Sequence, residues 1–152
     1  MLPLTLLLVL CLAAVLAGAF RRVPAGQVHS LYRHGRLRRL LQPGVHAVLP
    51  LVDRIGHRID LAGQVLRFQE ALPDAHDVRG TVYWQVLEPE RADAVLDQIE
   101  QLIRRGALDA IEAEPAAARD DRRDLGRRLK QRLNGVLRER GMMVTRVDLE
   151  FA

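Results

Sequence analysis

The chain has 152 residues, room for an apolar N-terminal segment and one further domain of about 130 residues. Its 23 basic and 19 acidic residues give a formal charge of +4, a mixed-charge surface that argues against a dedicated polyanion binder, and 4% aromatic residues leave the core to aliphatic side chains. Cys11 is the single cysteine, which excludes an intrachain disulfide.

Leu2 to Phe20 carries no formal charge and is rich in Leu, Val and Ala. As a helix it would rise about 28 Å, close to the ~30 Å hydrocarbon thickness of a bilayer. Ala17-Gly18-Ala19 has the form of a signal-peptide cleavage site, so cleavage that releases a periplasmic binding module is the alternative. A signal peptide carries positive charge before its apolar run, whereas here Arg21 and Arg22 follow it. Residues 1–20 are therefore expected to remain as a transmembrane anchor. Arg21, Arg22, Arg33, Arg36, Arg38 and Arg39 all lie within about 20 residues of its C-terminal end, and no basic residue precedes it. The expected topology is single-pass in a bacterial inner membrane, with the amino terminus outside and residues 21–152 on the cytoplasmic side. The six arginines suit anionic lipid headgroups, at about 1 kcal/mol each close to the surface.

From Arg21 to Leu61, the turn signals Pro24-Ala25-Gly26, His34-Gly35 and Pro43-Gly44 separate short apolar runs. Such spacing predicts an antiparallel β-meander, with Pro50 at an edge or a break. Ile55 to Leu61 is predicted as a strand with Ile55, His57 and Ile59 on one face. Glu70 to Asp77 is polar, holds Pro73 and reads as a loop. Val78 to Leu87 is the strongest strand, with Val78, Gly80, Val82, Trp84 and Val86 sharing a face. An amphipathic helix is predicted over 90–112, and a second over 116–140 with Leu125, Leu129, Leu133, Val136 and Leu137 on one side. Gly141 is placed to cap it. A final strand should carry Met143, Thr145, Val147, Leu149 and Phe151 on one face.

No catalytic, cofactor-binding or metal-binding residue emerges from these patterns. The five histidines (29, 34, 46, 57 and 76) lack metal-ligand spacing, and Ser30, the only serine, has no nucleophile-elbow context. Asp120, Asp121 and Asp124 suit a helix start by dipole alone. The basic helix residues Arg119, Arg122, Arg123, Arg127, Arg128, Lys130, Arg132, Arg138 and Arg140 are the best case for nucleic acid. They have acidic neighbours and no aromatic platform, so a solvated or partner-binding face is expected instead.

In order and spacing, Val23-Pro24-Ala25-Gly26-Gln27, Gly35-Arg36-Leu37, Leu41-Gln42-Pro43-Gly44-Val45-His46, Leu49-Pro50-Leu51-Val52-Asp53-Arg54-Ile55 and Asp60 form a set. It continues with Thr81 to Val86, Glu88-Pro89-Glu90-Arg91-Ala92, and the close from Leu133 to Val147. This set resembles the stomatin–prohibitin–flotillin (SPFH, or band 7) superfamily over nearly the whole chain after residue 20. The resemblance implies an α+β fold, with one SPFH-like domain over 21–152 built from a meander, two amphipathic helices and a final strand. Pro24, Gly26, Gly35, Pro43, Gly44, His46, Pro50 and Asp53 are its signature turn positions. It also implies a non-enzymatic membrane scaffold that binds lipid headgroups and forms homo- or hetero-oligomers with SPFH-type chains. Such a scaffold organises microdomains or modulates a membrane protease or channel. Two departures stand out. The stretch from Leu66 to Val82 is shorter than the family pattern, which implies a trimmed hairpin. The sequence stops at Ala152, where the family continues into a helical arm, so large cages are not expected.

Overall fold

The structure, a computed structural model, describes residues 2–73, 77–115 and 121–152. It divides into two compact units, Met1–Asp60 and Leu61–Ala152, a boundary inside the single domain expected over 21–152.

In the first unit, helix α1 (Leu2–Ala19) leads without a loop into β1 (Phe20–Val23). Strands β2 (Gln27–Arg33), β3 (Arg36–Leu41), β4 (Gly44–Ala47) and β5 (Asp53–Asp60) follow. The turns fall where glycine and proline predict. Gly26 takes φ 81° and Gln27 N–H donates to Pro24 O at 3.3 Å, a type II arrangement that needs positive φ at its third residue. His34 and Gly35, with φ of 53° and 74°, form the two-residue positive-φ link of the β2–β3 hairpin.

Strand order departs from the expected meander. β2 pairs with both β3 and β5, whereas β4 pairs with β1 in a separate two-stranded sheet. The paired strands match in length. β4 has four residues and matches the four of β1, leaving the eight-residue β5 to cover the longer β2. Between β4 and β5, Pro50 marks a break, and Leu51 stands fully exposed with φ 80°. Val23, Leu31, Leu41 and Val48 form one buried cluster, with Ile55 against it, and Val28 and Ile59 are buried as well. A bulge at Ser30 sends its hydroxyl to His57, whose N–H donates to Ser30 Oγ at 2.7 Å. The only serine therefore braces a sheet.

The second unit is the three-stranded antiparallel sheet β6 (Gln64–Ala71), β7 (Asp77–Val86) and β8 (Met142–Phe151), in that spatial order. The sequence reading missed β6 and began the loop at Glu70; the strand runs to Ala71. Between β7 and β8 come α2 (Pro89–Asp93), a 3₁₀ turn at Leu96–Gln98, α3 (Ile99–Glu112), α4 (Arg122–Leu137) and a 3₁₀ turn at Arg138–Arg140. The single helix expected over 90–112 is thus three pieces, because Val95 and Gln98 leave helical geometry at ψ of 4° and 0°. The expected start of the second helix, from Ala116, lies outside the described residues, as do His76, Arg119 and Asp120.

Helix α4 packs along β8 and α3 along α4. Leu125, Leu129, Leu133 and Leu137 are buried as the periodicity predicts, but Val136 is 49% exposed. Asp121 caps α4 by accepting from Arg123 N–H and Asp124 N–H. Gly141 closes the last turn in the left-handed conformation, and any Cβ there would lie 2.5 Å from Glu88 O.

The final strand also corrects the expectation. Met142 and Val144 point inward, then Val147 and Leu149, whereas Met143 is half-buried and Thr145 exposed. The register shift between Tyr83 and Trp84 leaves Thr145 as an extra residue, and this bulge swaps the inward face midway.

Candidate functional site

Residues Leu2–Ala19 of the N-terminal segment are helical and uncharged, and this helix is apolar on every side. Leu4, Leu6, Leu8, Leu10 and Leu16 are 54–70% exposed. Among the described residues no helix is long and apolar enough to cross a membrane. The transmembrane anchor expected over 1–20 is corrected in that sense. The 18 residues of α1 rise about 27 Å, short of a ~30 Å hydrocarbon core, because Phe20 already belongs to β1.

The end of α1 is tied to the sheet. Val48 N–H donates to Ala19 O at 2.6 Å, so the β1–β4 pairing begins on the helix's last residue. Arg21 and Arg22 follow at once, both exposed. Arg36, Arg38 and Arg39 lie exposed on β3, and Arg39 Nη2 donates to Ala47 O at 3.2 Å. Arg33 is held differently. Its Nε and Nη2 donate to the two carboxylate oxygens of Asp53 at 2.6 and 3.1 Å, a bidentate pair in which the Asp53 side chain is 3% exposed. Leu49 N–H adds a third bond at 3.0 Å, closing the 49–53 loop. Hydrogen bonding from Arg33, then from Leu49, holds the Asp53 carboxyl below the usual carboxylate range, and the Arg33 guanidinium is raised in turn.

The signature positions thus build turns and braces. His46 Nε2 meets Gln42 O at 2.6 Å across the Pro43-Gly44 turn, where Gly44 has φ 137°. Gly26 and Gly35 supply positive φ, and Pro24 and Pro50 stand in the connections before β2 and β5. His29 is buried, and burial followed by the charge of Arg58 lowers its pKa. No group of three or more His, Cys, Asp or Glu is arranged to hold a metal among the described residues.

The sequence reading passed over Arg54 and Arg58. They alternate on the exposed face of β5, opposite Tyr32 and His29 of β2. Together with Arg21 and Arg22 they line one cavity of about 580 Å³ at the foot of α1. Their signal was present in the Arg54–Gly56–Arg58 spacing, which puts both on one side of a strand, but not in their pairing to distant residues.

The second unit carries its own basic surface. Arg122, Arg123, Arg127, Lys130 and Arg146 line a groove between α4 and β8. Acidic partners temper it: Asp124 pairs with Arg127 and Arg128, Asp148 with Arg146, and Glu114 with Arg128 and Arg132 at 3.3 Å each.

Residues 21–150 match the family described as SPFH domain / Band 7 family.

Proposed function

The chain belongs to the SPFH domain / Band 7 family, and from that membership we propose that it is a non-enzymatic membrane scaffold held to the bilayer through α1. The family's domain goes in general with membrane association and oligomerisation. One observation carries the reading: an uncharged helix whose leucines find no cover in its own unit passes directly into a basic strand. A helix apolar on all faces needs an apolar surrounding. Burying its nine exposed Leu and Val side chains favours insertion by on the order of 10 kcal/mol.

Arg21, Arg22, Arg36, Arg38 and Arg39 then face anionic headgroups, with Arg33 engaged by Asp53, and the anionic cytoplasmic leaflet draws this basic face, so residues 21–152 lie on the cytoplasmic side. Copies associate laterally through the helical layer of the second unit, where Val136 and Leu102 border a groove of about 500 Å³ between α3 and α4. The scaffold organises a lipid microdomain or regulates a membrane protease or channel. Alkaline carbonate extraction followed by protease treatment of spheroplasts tests attachment and topology. Residues 21–152 should stay in the membrane pellet and be shielded from external protease. Release by carbonate or digestion from outside would refute the reading.

A further inference from the structure

We propose that the cavity at the foot of α1 is a binding site for the phosphate of an anionic phospholipid, held by Arg21, Arg22, Arg54 and Arg58. The proposal rests on α1 lying in the bilayer, and it adds a defined site to what was otherwise a diffuse basic surface.

Three observations converge. The four arginines come from two elements distant in sequence, β1 and β5, and line one cavity of about 580 Å³. Asp53 is the only carboxylate among the lining residues, and its charge is engaged by Arg33 through two hydrogen bonds. The cavity is therefore strongly positive and lacks an internal counter-ion. Its remaining wall is apolar or polar, with Phe20, Val48, Pro50 and Ile55 beside Gln27 and the titratable imidazole of His29. Gly18, the penultimate residue of α1, also lines it, so an occupant would sit at the level where an inserted helix leaves the hydrocarbon. Guanidinium forks match phosphate oxygens in pairs, which a lipid phosphodiester at that depth can offer.

Gly56 lies between Arg54 and Arg58, and a Cβ there would fall 2.6 Å from the Tyr32 ring. A side chain at 56 would therefore displace the Tyr32 ring.

The test is flotation of the full chain with vesicles of phosphatidylcholine alone or with 30% phosphatidylglycerol, at fixed ionic strength. The native chain should partition onto both, with a gain of about tenfold or more on the anionic vesicles. The variant Arg54→Gln/Arg58→Gln should lose most of that gain and keep its partition onto phosphatidylcholine. Arg54→Lys/Arg58→Lys should retain most of it, and Arg67→Gln/Arg79→Gln, on the strands of the second unit, should retain all of it. An undiminished gain in Arg54→Gln/Arg58→Gln, or an equal loss in Arg67→Gln/Arg79→Gln, would overturn the site. Should the double glutamine variant fail to fold, Arg54→Gln and Arg58→Gln separately carry the same test with a smaller loss each. Inorganic phosphate at 10 mM, balanced against chloride, distinguishes the sources. Persistence of the gain supports a lipid phosphate, and its abolition would reassign the cavity to free phosphate. Failure of the native chain to bind either vesicle would instead refute the insertion of α1.

Discussion

Asn134 of α4 engages both backbone polar groups of Val144 on β8. Its Nδ2 donates to Val144 O at 3.0 Å, and Val144 N–H donates to its Oδ1 at 2.7 Å. The side-chain amide thus stands in for a neighbouring strand along the outer edge of the sheet, in a buried setting. Asn134→Ala should destabilise the protein by about 2–3 kcal/mol, since a buried donor and a buried acceptor each lose a partner. Asn134→Leu should not recover this loss despite its apolar bulk. Urea denaturation of the full chain in detergent measures both.

Two glycines of the same helix should respond with opposite signs. Any Cβ at Gly126 would lie 2.8 Å from Val147 O, a backbone atom of the strand that α4 covers. A helical Gly→Ala change gains about 1 kcal/mol in propensity. The clash, at about 1–3 kcal/mol, outweighs that gain because a paired strand does not yield cheaply. Gly126→Ala should therefore destabilise. Gly135 has nothing within 4 Å of the same position, so Gly135→Ala should stabilise by about 0.5–1 kcal/mol. Thermal unfolding of the two variants side by side checks the sign of each.

Acid should weaken the first unit through Asp53 and His29. Both have a folded pKa below the ordinary values of 3.8 and 6.5, Asp53 chiefly through the Arg33 hydrogen bonds and His29 chiefly through burial. A depressed pKa contributes stability that is complete above the unfolded value and disappears as pH falls through the folded one. Stability should therefore begin to decline below about pH 6.5 and fall again below about pH 4. Asp53→Asn should be less stable at pH 7 yet lack the lower step, as read by circular dichroism melts across pH 3–8. A lower step of native size in Asp53→Asn would contradict the assignment.

Val136 tests the helical surface. It is exposed beside Leu102 and the groove between α3 and α4, and its removal creates no buried cavity. Val136→Glu should leave folding within about 0.5 kcal/mol, as exposed substitutions do. It should lower the native mass of the detergent-extracted protein. An unchanged native mass would move the lateral contact elsewhere.

Local patterns made much of this fold legible. The five inward residues of β7, the αL glycines at 26, 35 and 141, and the leucine stripe of α4 were all readable, because each depends on a chain period or a φ value. Strand partners were not. Nothing in Val45-His46-Ala47 shows that it pairs with Phe20–Val23 rather than extending the β2 sheet. The bulge at Thr145 was equally hidden, since uninterrupted alternation looks the same with or without an extra residue. The helical period also ran through Val95 and Gln98 although the backbone bends there. At the foot of α1, Arg21 and Arg22 could be found from topology rules, whereas Arg54 and Arg58 join them only through the pairing of β2 with β5.

A membrane scaffold of this kind is built from several copies of a 17.1 kDa chain. Blue-native electrophoresis of the full chain, extracted by mild detergent from the membrane fraction, tests it most directly. The protein should be recovered from membranes as a species of several chains. A protein recovered from the soluble fraction, or one migrating strictly as a monomer after extraction, would contradict it.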